Sequence, residues 1–225
     1  FHDIVTVFQT ISVFDRIRLE PAELDDVRVI NQLDQIESNL ALRALALAKE
    51  ADLTQQHLQI EIEKRIPIAA GLGGASADAA AVLRGIQLDH DLDMDVLAEL
   101  ALRIGSDVPF LLRGGAAHAT GRGEVLESLP SLRGCWIVLA SPAIELERKT
   151  ARLYGSLHPS DFSDGSRVLR TATALERGEL PDRSDLGNAF SRALAEVLPL
   201  TTDLVADFAA TGAPFVALSG TGPTH

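Results

Sequence analysis

The sequence predicts an α+β fold in two domains, and three observations carry the prediction. Short stretches of apolar and polar alternation (residues 4–8, 13–19, 27–30 and 58–62) are interleaved with helical periodicity (from Leu40, after Gly74, 96–103, 166–176, 188–197 and 201–210), a mixture that stacks helices on sheets. The chain pauses at residues 130–134 and resumes with a fresh apolar run, Trp136 to Ala140, which divides it into a domain at 1–131 and another at 132–225. A glycine-rich turn at residues 67–77 opens into a long alanine-rich helix, a junction demanding special backbone geometry. No internal repeat or low-complexity tract breaks this pattern.

Each element has a local reason. Residues 4–8 and 13–19 alternate as strands from the outset, so the chain is expected to begin in mid-domain. An acidic turn at 23–26 leads to a short strand at 27–30, and Ser38 or Asn39 caps the helix beginning near Leu40. Residues 58–64 alternate cleanly and deliver the chain to the glycine loop. After the loop helix, the amphipathic 96–103 segment is stopped by Gly105. Gly114 to His118 and Thr120 to Glu124 read as hairpin strands, with His118 a packed strand histidine. A helix starts at Arg148, residues 158–165 form a loop, and three helices follow. A last strand from Phe215 runs into a second glycine turn, where the domain is expected to be cut short.

Composition sets the bounds on function. At 225 residues, 46% hydrophobic and 23% charged, the chain can bury a core without staples. Its net charge of −12 argues against non-specific nucleic-acid binding and against an anionic membrane surface, so any phosphate site must be local and backbone-made. One cysteine, Cys135, permits no internal disulfide and implies a reducing compartment; its apolar setting reads as a buried strand. No apolar run approaches a membrane span and no basic-then-apolar leader is present, so a cytoplasmic location is expected.

The glycine loop comprises Pro67, Ile68, Ala69, Ala70, Gly71, Leu72, Gly73, Gly74, Ala75, Ser76 and Ala77. Its glycines allow positive φ and close approach of a ligand to the main chain. Ser76 and Asp78 suit a helix's first turn, where a hydroxyl caps and a carboxylate meets the positive end of the dipole. Bare N–H groups at a helix start make an anion site, with phosphate its common occupant. The G-x-x-x-x-G-K-[ST] pattern fails for want of a lysine after Gly74. The dinucleotide pattern G-x-G-x-x-G/A only nearly fits, and the segment about 20 residues on, where that fold needs a strand, reads as a helix.

The run Pro67-x-x-x-Gly71-Leu-Gly-Gly-x-Ser76 with Ala79-Ala80 resembles the ATP loop of the GHMP kinases. Three further pieces, Phe1-His-Asp-Ile with Phe8-Gln, Gly105-Ser-Asp-Val-Pro-Phe110 and Leu218-Ser-Gly-Thr-Gly-Pro-Thr224, are similar in order and spacing to the branch acting on 4-diphosphocytidyl-2-C-methyl-D-erythritol. That resemblance implies a ribosomal S5 domain 2-like N-terminal domain and a ferredoxin-like C-terminal one. It implies ATP and Mg2+ as cofactors, a substrate carrying a cytidine diphosphate group, and a place in non-mevalonate isoprenoid synthesis. Asp107 would accept or orient the substrate hydroxyl's proton, and the loop, with Asn39 and Lys64, would hold the nucleotide. Phe1, His2, Thr150, Tyr154, Gly220, Thr221 and Gly222 would line the substrate side. Capping explains Asn39 nearly as well, and a solvated face is an equal reading of Lys64. By the same resemblance a first strand with a phosphate-facing lysine precedes Phe1, so the 225 residues alone are expected to be weak or inactive. The alternatives are a GHMP kinase of homoserine or mevalonate type, or a nucleotide-binding fragment without turnover.

Overall fold

The computed structural model describes residues 3–31, 39–90, 93–142, 144, 149–213 and 215–225. They fall into two compact units, one from residues 1–66 and 73–128, the other from 67–72 and 129–225. The first runs β1 (Thr6–Gln9), β2 (Arg16–Pro21), β3 (Asp26–Val29), α1 (Leu40–Glu50), β4 (Leu58–Glu63), α2 (Gly74–His90), α3 (Met94–Ile104), α4 (Val108–Arg113), β5 (Ala116–Thr120) and β6 (Val125–Leu129).

Alternation in β4 sends Leu58, Ile60 and Ile62 to one face, where the last two are wholly buried. β4 is the centre of the sheet β2-β4-β3, antiparallel to β2 and parallel to β3. Ile17 and Leu19 of β2 stand opposite Ile62 and Ile60, with Val29 and Val27 of β3 on the other side, so one apolar face results. Helices α1 and α2 cover it. Ala41, Ala44 and Ala48 of α1 and Ala79 and Ala80 of α2 belong to that core. At Gly85 of α2 the Leu19 side chain comes so close that a Cβ would overlap its Cδ1, which would have to shift. A second sheet, β1-β5-β6, pairs β1 antiparallel to β5, and the Phe8 ring lies 4.9 Å from that of Phe110 in α4.

The second unit holds α5 (Lys149–Gly155), α6 (Ser166–Glu176), α7 (Ser191–Val197) and α8 (Leu200–Ala210). Leu153, Ala193, Leu194, Leu198 and Leu218 form its core, with Phe190 packed against them. Arg192 of α7 bonds Asp161 through Nε at 2.9 Å and the Ser156 carbonyl at 2.6 Å, fixing the segment between α5 and α6. No helix among the described residues is long and apolar enough to cross a membrane.

Three local expectations are corrected. Among the described residues the apolar runs at 136–140 and from Phe215 form no ladder, although Ala140 and His225 exchange a pair of backbone bonds at 2.9 and 3.1 Å. An apolar run becomes a strand only where another backbone meets its N–H and C=O groups; here Trp136 is 98% exposed, and Cys135 is exposed rather than buried. The second hairpin strand begins at Val125, because Gly121 (φ +69) and Gly123 (φ +106) are spent in the turn. Helix α7 starts at Ser191 rather than Asn188, whose Oδ1 accepts from Phe190 N at 2.8 Å just before the helix while its Nδ2 bonds two carbonyls of another turn.

Candidate active site

Within the first unit the chain enters α2 through Gly73, whose φ of +71° is left-handed and whose carbonyl accepts from Ala77 N at 2.9 Å to start the helix. A helix's first N–H groups have no intrahelical acceptor, so the amides of Gly74, Ala75 and Ser76 remain to bind an anion.

Asp78 does not serve the helix dipole as expected. It lies one turn further in, 5% exposed, with its Oδ2 2.8 Å from Lys64 Nζ. Lys64 is buried rather than solvated, and the same Nζ bonds Asp15 Oδ2. Asp15 Oδ1 accepts from the amides of Arg65 at 2.5 Å and Ile66 at 2.9 Å, so one carboxylate fixes the strand-to-loop turn. Burial would raise the Asp15 pKa, but Lys64 and the two amides outweigh it and hold it below the usual range. Asp78 goes the other way. Burial, reinforced by the Asp15 charge, overcomes the Lys64 bond and pushes its pKa up to about 6, and its Oδ1 is buried without a partner.

Asn39 caps α1, its Oδ1 accepting from Ala41 N at 2.9 Å. Asp107 precedes α4 at the N-cap position yet makes no side-chain capping bond. Its surface reaches solvent while protein atoms crowd round it, and that desolvation raises its pKa.

The second unit contains residues 67–72, which interlock with the turn at 219–222. Ser219 Oγ donates to Gly71 O at 3.0 Å, and Thr224 N donates to Ala70 O at 3.2 Å. Gly71 (φ +80°), Gly220 (φ +52°) and Gly222 (φ +66°) are all left-handed. Asn188 Nδ2 holds the turn through the carbonyls of Leu218 at 3.0 Å and Gly220 at 2.8 Å. Lys149 Nζ donates to the carbonyls of Ala69 and Gly222. Ala69 is itself left-handed (φ +52°), so a residue with a Cβ occupies strained backbone in the loop. Of the residues expected on the substrate side, Thr150 is exposed on α5, and Tyr154 packs its ring edge-on against Phe190 with centroids 4.9 Å apart. Phe1 and His2 lie outside the described residues.

Sequence reasoning missed Asp15, the pairing role of Asp78, and Lys149. The first two had a signal, since a lysine on the apolar face of an alternating strand must find carboxylates. Lys149 had none beyond its charge.

The fold and these motifs are those of a GHMP kinase, and the family model described as the GHMP kinases N terminal domain matches residues 39–115. The similarity extends to the whole chain. A protein of Exiguobacterium sibiricum named 4-diphosphocytidyl-2-C-methyl-D-erythritol kinase is 37% identical over 239 residues, covering 100% of this chain and 79% of its own length. A Geobacillus kaustophilus protein of the same name is 38% identical, with 100% and 79% covered. A crystal structure of 4-(cytidine 5'-diphospho)-2C-methyl-D-erythritol kinase superposes with a TM-score of 0.78 at 32% identity, over 100% of this chain and 80% of the other. Homoserine kinase from Cytophaga hutchinsonii, at 19% identity, TM-score 0.69, and 93% and 74% coverage, shares the fold. The chain belongs to the 4-diphosphocytidyl-2-C-methyl-D-erythritol kinase family.

Proposed function

We propose that this chain transfers the γ-phosphoryl group of ATP to the 2-hydroxyl of 4-diphosphocytidyl-2-C-methyl-D-erythritol, a step of the non-mevalonate isoprenoid pathway. The observation that carries the reading is the match of the whole chain to relatives of that name at 37% identity. The buried Lys64 cluster, the left-handed glycines of the loop and the uncapped Asp107 support it. The loop of residues 67–77 is assigned to the ATP phosphates, with Asn39 and Lys64 assigned to the nucleotide. Lys64 acts there through Asp15 and Asp78, by setting the path of the chain into the loop. Asp107 accepts the proton of the substrate hydroxyl, or orients that hydroxyl, as the phosphoryl group departs. Phe1, His2, Thr150, Tyr154 and the turn Gly220, Thr221, Gly222 serve the cytidyl substrate. In domain terms, residues 1–131 are the ATP-binding domain and 132–225 the second GHMP kinase domain.

No three His, Cys, Asp or Glu residues among the described residues cluster to hold a metal. The Ser76 hydroxyl, in the first turn of α2, is the protein group that would hold Mg2+ brought in with ATP. When bound, the metal would neutralise phosphate charge. The remaining work is positioning, which the backbone of the loop supplies.

The test is a specificity assay on the active enzyme. With ATP it should turn over the cytidyl substrate and leave homoserine, mevalonate and galactose essentially untouched, because a site built to bond a base rejects substrates lacking one. Comparable kcat/KM on homoserine or mevalonate would favour the smaller-alcohol reading.

A further inference from the structure

The chain has three lysines. Two are neutralised in the first unit: Lys49 Nζ lies 2.6 Å from Asp25, and Lys64 bonds both Asp15 and Asp78. Lys64, the cation that the sequence offers for a nucleotide, therefore brings no net positive charge to a ligand. Lys149 differs. Its Nζ donates only to the neutral carbonyls of Ala69 and Gly222, and no carboxylate among the described residues stands within 4.0 Å. An ammonium has three N–H donors, and these two bonds leave one over. The side chain is half-buried, and desolvation, with no opposing charge to offset it, lowers its pKa.

We propose that Lys149 is a phosphate-binding residue, its remaining N–H and uncompensated charge meeting a phosphoryl oxygen beside the turns at residues 67–72 and 219–222. The proposal rests on the kinase reading. A partly desolvated cation without a counter-ion gains a charge-assisted bond from an anion. In a chain of net charge −12 the field of the whole protein does not attract phosphate, so a local cation adds to what backbone amides supply. The two carbonyl bonds also hold the ammonium in place, so little ordering remains when the anion arrives. Two ligands of the reaction offer this chemistry, the phosphate chain of ATP and the diphosphate of the cytidyl substrate.

The experiment compares Lys149→Met and Lys149→Arg with the wild-type active enzyme. The Met variant should raise one of the two KM values roughly ten- to a hundredfold, as loss of a hydrogen bond to a charged group does. The Arg variant should recover most of that loss, and the KM that moves identifies the phosphate concerned. A second measurement needs no variant. Limited acetylation of the wild-type protein, read by peptide mass spectrometry, should slow at Lys149 with ADP if the nucleotide is the ligand, or with CDP if the substrate is. A folded Met variant with both KM values unchanged would overturn the proposal, as would equal impairment of Met and Arg. So would acetylation of Lys149 indifferent to both nucleotides. A wild-type enzyme that does not phosphorylate the cytidyl substrate sinks the kinase reading instead, and Lys149 is then judged by protection alone.

Discussion

Gly71 and Gly220 face each other with no room for a side chain on either. A Cβ on Gly220 would lie 2.9 Å from Gly71 O, and one on Gly71 would lie 2.5 Å from Ser219 O and 2.7 Å from Gly222 N. Both residues are left-handed, so an L side chain would be strained as well as obstructed. Gly71 thus has a packing role inside the second unit that its place in a phosphate loop does not disclose. Gly71→Ala and Gly220→Ala should each destabilise the protein by about 2–5 kcal/mol, the sum of a left-handed penalty and backbone overpacking. Denaturant unfolding measures this; wild-type stability in either variant would show that the two turns part readily.

Gly73 separates binding from folding. A Cβ there would meet only the end of the Leu111 side chain, at 3.3 Å, which can yield. The left-handed φ of +71° still has to be kept, at about 1–2 kcal/mol, if the amides of α2 are to face a phosphate. Gly73→Ala should therefore fold yet raise the ATP KM roughly tenfold as charge-assisted bonds weaken. Unchanged nucleotide affinity by calorimetry on the folded variant would remove this stretch from the ATP site.

The Asp15, Lys64 and Asp78 cluster predicts an unusual stability profile. Asp78 has its folded pKa raised to about 6 from 3.8, so between those values the folded state holds a proton that the unfolded chain has released. Stability from this group falls as pH rises through that window and is level above it. Asp15, held below 3.8, contributes the opposite limb: stability present above its unfolded value and lost as pH falls through its folded one. Asp78→Asn should abolish the decline between pH 4 and 6, so that the variant gains on the wild type across that range. Melting temperatures measured in steps of pH give the difference curve, and a flat difference would mean that Asp78 titrates normally.

How much of this was legible follows from sequence separation. The loop and the start of α2 could be read because glycines, alanines and a helix start act on their immediate neighbours. Helix α6 falls where its pattern places it, between Gly165 and Gly178, both left-handed. The Lys64 cluster joins side chains 49 and 14 residues apart, and Lys149 reaches carbonyls 80 and 73 residues away. No local pattern encodes such meetings. Residues 136–138 failed for the converse reason: their apolar character is local, whereas a strand needs a partner that the pattern does not supply.

Asp107 carries the chemical prediction. Its position before Val108 and Pro109 suits a helix cap, but no capping bond is made, so its carboxylate has no structural duty at α4. Crowding raises its pKa, which brings a carboxylate nearer the range in which a base works at neutral pH. A base must be ionised to act, so kcat should fall as pH drops through that raised value, and the limb should sit above the usual aspartate range. Asp107→Asn keeps the size of the side chain while removing the base. It should lower kcat roughly 10²–10⁴-fold, leave ATP affinity nearly unchanged, and erase the acid limb of the kcat profile. Steady-state kinetics against pH, with ADP binding by calorimetry on the same preparations, reads all three. A variant that keeps its kcat, or loses kcat while retaining the acid limb, would take the proton-accepting role away from Asp107.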